Sequence, residues 1–326
     1  MLGKCLIGAV TVAAAVACSS TGGKPADAGA GSGAGTADTP RMTVAMVTHA
    51  PQGDVFWSMV QKGAEAAAAK DNVELLYSSD DDPGRQANLV QSAIDSKVDA
   101  IAVSLAKPDA VASAIAAADA AGIPVVALNA GLDDWQRLGT KMFFGLDIEA
   151  AGKMSGEQLA GAGGKHALCV IQEQGNVVLE QMCQGAGGGF GTGKVDTLYV
   201  QGSDMPSVQS ALTAKLQQDR SIDSIVTLNA PIGMAALTSR SEAGSSAEIT
   251  TVNVTPEVAS AIESGDILAA VDQQGWLQGY LAVDSLWLYQ TNNNVIGGGQ
   301  PVLTGPTLVN RDNIAAIAPL VDKGTR

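Results

Sequence analysis

Residues 41–70 read RMTVAMVTHAPQGDVFWSMVQKGAEAAAAK, and this stretch decides the fold. An almost continuous apolar run over 43–48 ends at the polar His49, and an alanine-rich stretch with helical spacing then fills 54–70. The same unit recurs along the chain. Further strands are expected near 73–77, 100–104, 125–129, 142–146, 167–172, 197–200, 224–229, 249–253 and 268–272. Helical spacing is expected over 85–96, 110–121, 150–160, 207–218 and 256–264. Apolar strands alternating with helices predict α/β architecture with parallel sheets covered on both faces. About ten strands are too many for one sheet of ordinary size. Two doubly wound lobes are therefore expected, with a break near 145–147.

Length and composition narrow the function classes. The chain has 326 residues, 46% of them hydrophobic, which is enough for a large core. Its formal net charge of −14 repels a phosphate backbone, so no nucleic-acid partner is expected. Two histidines and four cysteines do not fall into metal-ligand spacing, and neither a metal nor a cofactor is expected. Gly188 to Val195 (GGFGTGKV) nearly matches a phosphate-cradling loop. It places Val195 where a Ser or Thr is needed, and follows a helix rather than a strand. The run Asp80-Asp81-Asp82 lacks the spaced ligands of a calcium loop and reads as solvated.

The N-terminus addresses the chain to the outside of the cytoplasm. Lys4 precedes an apolar segment over 5–17 that is too short to span a bilayer and has the order of a secretory signal. The sequence Ala15-Val16-Ala17-Cys18 resembles the lipobox of bacterial lipoproteins, with Ala15 where leucine is more usual. That resemblance implies cleavage after residue 17 and a diacylglyceryl group on the Cys18 thiol. Residues 18–40 are dominated by Gly, Ala, Ser, Thr and Asp and read as a flexible tether. Cys5 leaves with the signal, so Cys169 and Cys183 remain and can pair in an oxidising compartment. Such a disulfide would join a strand to the helix after it.

In open α/β sheets, ligands sit beyond the carboxyl ends of the strands. Those ends carry His49, Ser104, Asn129, Gln172, Glu173, Asn229, Asn253 and Asp272-Gln273-Gln274. Amides and hydroxyls both donate and accept without net charge, which suits a ligand covered in hydroxyls. They also start turns, and any one of them reads as readily that way. Asp54, Phe56 and Trp57 follow the first strand. An aromatic pair there suits stacking on the C–H face of a sugar, with Asp54 accepting from hydroxyls; core packing is the alternative, more so for Trp57.

The order of these segments resembles a known family. Residues 42–60 (MTVAMVTHAPQGDVFWSMV), 121–129 (AGIPVVALN), 255–265 and Asp272-Gln273-Gln274 with Gln278-Gly279-Tyr280 are similar to ribose-binding-protein-like solute-binding proteins, and the likeness extends from 41 to about 307. It implies two Rossmann-like lobes joined by three crossings, closing on a sugar and delivering it to an ABC importer. The lobes would comprise 41–145 with 275–303, and 146–274 with 304–326, hinged near 145–147, 274–275 and 303–305. Carried over by position, the sugar contacts fall on Asp54, Phe56, Trp57, Ser104, Asn129, Asn229, Asn253 and Gln274. The family's Asp-Arg pair is here Asn129-Ala130, and its later arginine is replaced by Gln184 or Met182, depending on register. The implied ligand is therefore a neutral sugar or polyol rather than ribose.

The expected protein is a monomeric, lipid-anchored binding protein with an ABC permease as partner, and not an enzyme. A receptor feeding a sensor kinase would have the same lobes. A sugar-processing enzyme would need facing carboxylates, for which Asp54 with Glu173 or Asp272 is the pairing to check. A repressor would need a DNA-binding helix-turn-helix where this chain has a signal and tether. The anchor is tested by fractionation: Cys18→Ala should move the protein from the membrane fraction to the soluble one, and a variant that stays membrane-bound removes the lipid attachment.

Overall fold

β1 (Met42–Thr48) is buried at six of its seven positions, as a strand covered on both faces must be. The computed structural model describes residues 36–326 apart from Gln52. The expected signal over 1–17, Cys18 and the tether as far as residue 35 lie outside the described residues. After β1 the chain runs α1 (Val55–Asp71), β2 (Val73–Ser79), α2 (Pro83–Asp95), β3 (Ala100–Ser104), α3 (Pro108–Ala120), β4 (Val125–Asn129) and β5 (Phe143–Leu146). It continues through α4 (Ile148–Gly161), β6 (His166–Ile171), α5 (Val177–Phe190), β7 (Lys194–Tyr199), α6 (Met205–Gln218), β8 (Ser224–Thr227), α7 (Ala230–Ala243), β9 (Glu248–Val252), α8 (Pro256–Ser264) and β10 (Ala269–Asp272). Last come α9 (Gly275–Asn292), β11 (Val302–Gly305), β12 (Thr307–Asn310) and α10 (Ile314–Asp322).

The strands form two six-stranded sheets, ordered β11-β5-β4-β3-β1-β2 and β12-β10-β9-β8-β6-β7. The first is parallel throughout, and in the second only β12 runs antiparallel, against β10. Position for position, β1 corresponds to β6, β3 to β8 and β4 to β9. The two doubly wound lobes expected from the alternation are thus present. Each sheet has an apolar layer on both faces. Val60, Ala64, Val283 and Leu286 cover one side of the first sheet, and Val90, Val111 and Ile115 the other. In the second sheet Leu212, Ile232 and Val258 lie opposite Leu159, Met182 and Phe190. The polypeptide passes between sheets three times, after β5, after β10 and between β11 and β12.

α4 and α5 pack through glycines. A Cβ at Gly152 or Gly156 would strike the backbone carbonyls of Met182 or Ala186, and one at Gly185 or Gly189 those of Glu149 or Lys153. The run that imitates a phosphate loop contributes Gly189 to this contact and leads, as expected, from a helix into a strand. Cys169 on β6 and Cys183 on α5 are joined by a disulfide, with Cα atoms 5.9 Å apart. The bond ties the glycine-packed helix to the sheet.

The residues 36–40 depart from the expected tether. The Ala37 N–H donates to the Lys70 carbonyl at 2.8 Å, and Asn72 Nδ2 donates to the Thr39 carbonyl at 2.8 Å. Trp287 Nε1 donates to Thr39 Oγ1 at 3.1 Å. Composition reads this segment as solvated because its partners sit on α1 and α9, far away in sequence. Packing predicts a sharp contrast between two glycines. Gly156→Ala should cost about 1–3 kcal/mol by overpacking, or roughly 2–4 °C in Tm per kcal/mol. Gly188→Ala meets nothing within 4 Å and should be stabilising by up to about 1 kcal/mol through helix propensity. Thermal melts of both variants check the pair.

Candidate functional site

The carboxyl ends of both sheets open onto one cleft of about 980 Å³. This is the upper end of the usual range for small-molecule sites. The first lobe contributes His49, Asp54, Phe56, Trp57, Lys107 and Asn129; the second contributes Gln172, Glu173, Asn176, Met182, Asn229, Asn253 and Gln273. His49 follows β1 and Gln172 follows the matching β6; Asn129 ends β4 and Asn253 follows the matching β9. Asn129 and Asn253 both have φ of 69°. Asparagine tolerates this left-handed backbone better than most residues, which turns both side chains off their strand ends.

Several lining residues also cap helices. Asp54 Oδ1 accepts from the Trp57 N–H at 3.0 Å, Asn176 Oδ1 from Val178 at 3.0 Å and Asn229 Oδ1 from Ile232 at 2.9 Å. The turn-forming and ligand-facing readings of these residues are therefore not exclusive. Burial raises the Asp54 carboxyl above the ordinary aspartate value, against the backbone N–H groups of Trp57 and Phe56. The charged lining residues are Asp54, Asp81, Lys107 and Glu173, and no arginine is among them. Lys107 Nζ reaches across to Glu173 at 3.4 Å, which leaves the cleft with an acidic surplus. Among the described residues, two acceptors of the lining have buried atoms without a partner, Gln172 Oε1 and Asn253 Oδ1, with Asn253 only 7% exposed. An orphaned buried acceptor costs about 1–3 kcal/mol until a donor reaches it.

The aromatic pair divides as the sequence suggested. Trp57 is 5% exposed and packs into the core of the first lobe, edge-on to Phe56 at 5.3 Å and to His49 at 4.9 Å. Phe56 is half-buried and lies against Gly275 at the second crossing, with part of its surface on the cleft. Three expected contacts fall elsewhere. Ser104 is fully buried beneath the cleft, its Oγ taken by His49 and Gln86. Gln184 points to solvent from α5, one position past the disulfide, and Met182 occupies the lining instead. Gln274 is turned onto the third crossing, where Nε2 reaches the Thr304 carbonyl, so that its neighbour Gln273 lines the cleft. A one-residue register step at a strand end reverses the side chain, and the sequence offered Gln273 and Gln274 equally. Asp272 is 1% exposed, paired with Arg326 at 2.6 Å and absent from the lining, so it does not face Asp54. Lys107, Asn176 and Gln273 also line the cleft; Lys107 and Gln273 lie within three residues of a strand end, the signal that marked the others, whereas Asn176 lies five residues past β6 as the N-cap of α5. A cluster of His166, Asp196 and Asp219 lies at the opposite end of the second sheet, where Asp196 is occupied by Lys194 at 2.8 Å and His166 at 3.1 Å.

A family profile described as the periplasmic binding protein domain matches residues 44–294. The chain belongs to the periplasmic binding protein family. This is a family of substrate-binding proteins, not enzymes. The binding protein is 49% identical to a carbohydrate transporter from Acidothermus cellulolyticus solved in complex with myo-inositol, with a TM-score of 0.86 over 88% of this chain and 100% of that one. It is 29% identical over 290 residues to the xylitol-binding protein of Mycolicibacterium smegmatis, covering 83% of this chain and 77% of that protein. A solute-binding protein from Actinobacillus succinogenes with bound D-allose, 21% identical, shares the fold with a TM-score of 0.74 over 84% of this chain and 99% of that one. No described helix of the binding protein is long and apolar enough to cross a membrane.

His49 sets a pH dependence. Burial lowers its pKa from 6.5 to about 4; Glu173 pulls it back up and Lys107 pushes it further down. The unfolded chain therefore takes up this proton before the native protein does. The contribution of His49 to stability is full above pH 6.5 and is lost as pH drops from 6.5 to about 4, by at most about 3 kcal/mol. Urea unfolding across this window should show a steeper loss for the wild type than for His49→Gln; parallel curves would remove the effect.

Proposed function

We propose that this protein is an extracytoplasmic, lipid-anchored substrate-binding component of an ABC importer, with a neutral polyol or sugar held between its lobes. A cyclic polyol such as myo-inositol is the leading candidate. The observation that carries this reading is the pair of orphaned acceptors, Asn253 Oδ1 and Gln172 Oε1, in a cleft with surplus acid and no arginine. Such a cleft wants hydroxyl donors and disfavours phosphates and carboxylates. Phe56 offers an apolar face, and Asp54 and Asn229 Nδ2, which has no partner among the described residues, offer one acceptor and one donor. The similarity to the myo-inositol complex and to the xylitol-binding protein supports the same ligand class. About eight hydrogen bonds netting ~1 kcal/mol each correspond to micromolar binding.

Closure would be a hinge motion about the three crossings, and the closed form would be the species a permease recognises. Cys18 and the segment behind it would hold the loaded protein near that permease and raise its effective concentration there.

A thermal-shift screen tests the ligand class. Myo-inositol, xylitol or a neutral hexose should raise Tm by mass action, equivalent to about 2.7 kcal/mol at one hundred times Kd, and an inositol phosphate should not. Shifts with the phosphate alone would overturn the reading. Asn229→Asp keeps the helix cap and removes the amide donor, so Tm should hold while calorimetric affinity falls roughly tenfold. Unchanged affinity takes Asn229 out of the site.

A further inference from the structure

Ser104 sits at a junction where every donor and acceptor is determined. Its Oγ receives the His49 backbone N–H at 2.9 Å and lies 3.3 Å from Nε2 of Gln86. That same Nε2 is 2.9 Å from the Ser104 carbonyl, which can only accept, so Gln86 must present its nitrogen here. Gln86 is 1% exposed and Ser104 fully buried, so no solvent competes. A hydroxyl has two lone pairs and one hydrogen. Both lone pairs are occupied, and among the described residues the hydrogen has one acceptor within reach, Nδ1 of His49 at 2.7 Å. Nδ1 therefore accepts, and the neutral imidazole carries its proton on Nε2. Among the described residues Nε2 has no hydrogen-bond partner, and His49 lines the cleft.

We propose that His49 contacts the ligand directly, offering a fixed Nε2–H donor to a ligand oxygen, and that Ser104 and Gln86 are positioning residues that hold this tautomer. The donor role rests on the polyol-binding reading above; the tautomer does not. Burial supports it by keeping the ring uncharged at neutral pH. Gln172, the counterpart of His49 in the second lobe, presents the opposite need, a buried acceptor without a donor. The two lobes together thus select oxygens that accept on one side and donate on the other. A hydroxyl does both, whereas a ketone, carboxylate or ionised phosphate oxygen only accepts. The substrate class that follows is a polyol with hydroxyls directed at both lobes, discriminated from its keto and deoxy analogues.

With two histidines in the chain, ring-nitrogen spectra are simple to assign, and His166→Gln identifies the His49 signals. Long-range proton–nitrogen correlations of the wild-type protein at neutral pH should show His49 protonated on Nε2, and adding myo-inositol should shift that resonance. Ser104→Ala should populate both tautomers and weaken myo-inositol binding roughly two- to tenfold. His49→Phe keeps a planar ring, removes the donor and should weaken binding by a similar factor or more. A wild-type spectrum with the proton on Nδ1 overturns the proposal, whatever the variants' folding. Full affinity in a folded His49→Phe protein overturns the donor role. A protein with the Nε2–H tautomer that binds no neutral polyol overturns the functional reading and the donor role with it, and leaves the tautomer lock standing.

Discussion

The three passages between the lobes meet at one side chain. Thr304, 2% exposed on β11, has its Oγ1 3.1 Å from the Gly145 carbonyl at the first crossing and 2.8 Å from the Gln273 carbonyl at the second. The same Oγ1 accepts from Gln278 Nε2 at 3.1 Å, and Thr304 itself begins the third crossing. Gln278 also donates to the Gln273 carbonyl at 3.0 Å. A buried polar cluster of this kind costs stability unless every member is paired, so each strand end has one acceptable position relative to the others. This junction brings the carboxyl ends of both sheets onto a common cleft. Asn129 extends it to the ligand side: its Nδ2 reaches Gln273 Oε1 at 3.1 Å and Gln278 Oε1 at 3.2 Å. The floor of the cleft and the connection between the lobes are therefore one hydrogen-bonded network.

Around that floor, one set of residues both caps helices and lines the cleft. Asp54, Asn176 and Asn229 each use one side-chain oxygen to cap a helix, at the end where unpaired backbone N–H groups collect. Capping by itself fixes their rotamers, which would lower the ordering cost of binding a ligand in the cleft. Preorganisation of the same kind governs His49, whose ring is held by Ser104 on one side and by the edge of Trp57 on the other. The pairing of Lys107 with Glu173 neutralises one of the three acids without placing a free cation where it would attract anions.

Much of this was legible in the chain, for identifiable reasons. Parallel strands buried on both faces leave nearly unbroken apolar runs, so the β/α alternation and the division into two lobes could be read directly. Strand ends must face a cleft in such a sheet, so Asp54, Asn129, Asn229 and Asn253 stood out. The Cys169–Cys183 pair was legible once two cysteines remained after the N-terminal segment. Helices α7 and α9 were less so: α9 carries Trp276, Tyr280 and Trp287 on faces that pack within the protein, and its apolar residues circle the helix rather than forming a stripe. The strap at Ala37 and Thr39 was not legible in the chain because its partners, Lys70, Asn72 and Trp287, are distant in sequence.

By itself, then, the sequence determined the doubly wound architecture, its duplication and the uncharged, amide-rich character of the strand ends. These depend on local hydrophobic period and residue type. Only the tertiary structure decided which member of each polar group reaches the cleft. Gln273 lines it and Gln274 does not, because the side chain of Gln274 is drawn to the Thr304 carbonyl. Ser104 meets His49 because burial at β3 places its hydroxyl under the imidazole rather than in the cleft. A side chain's direction at a strand end is set by the partners that satisfy its hydrogen bonds, and those partners, distant in sequence, come together only in the folded protein.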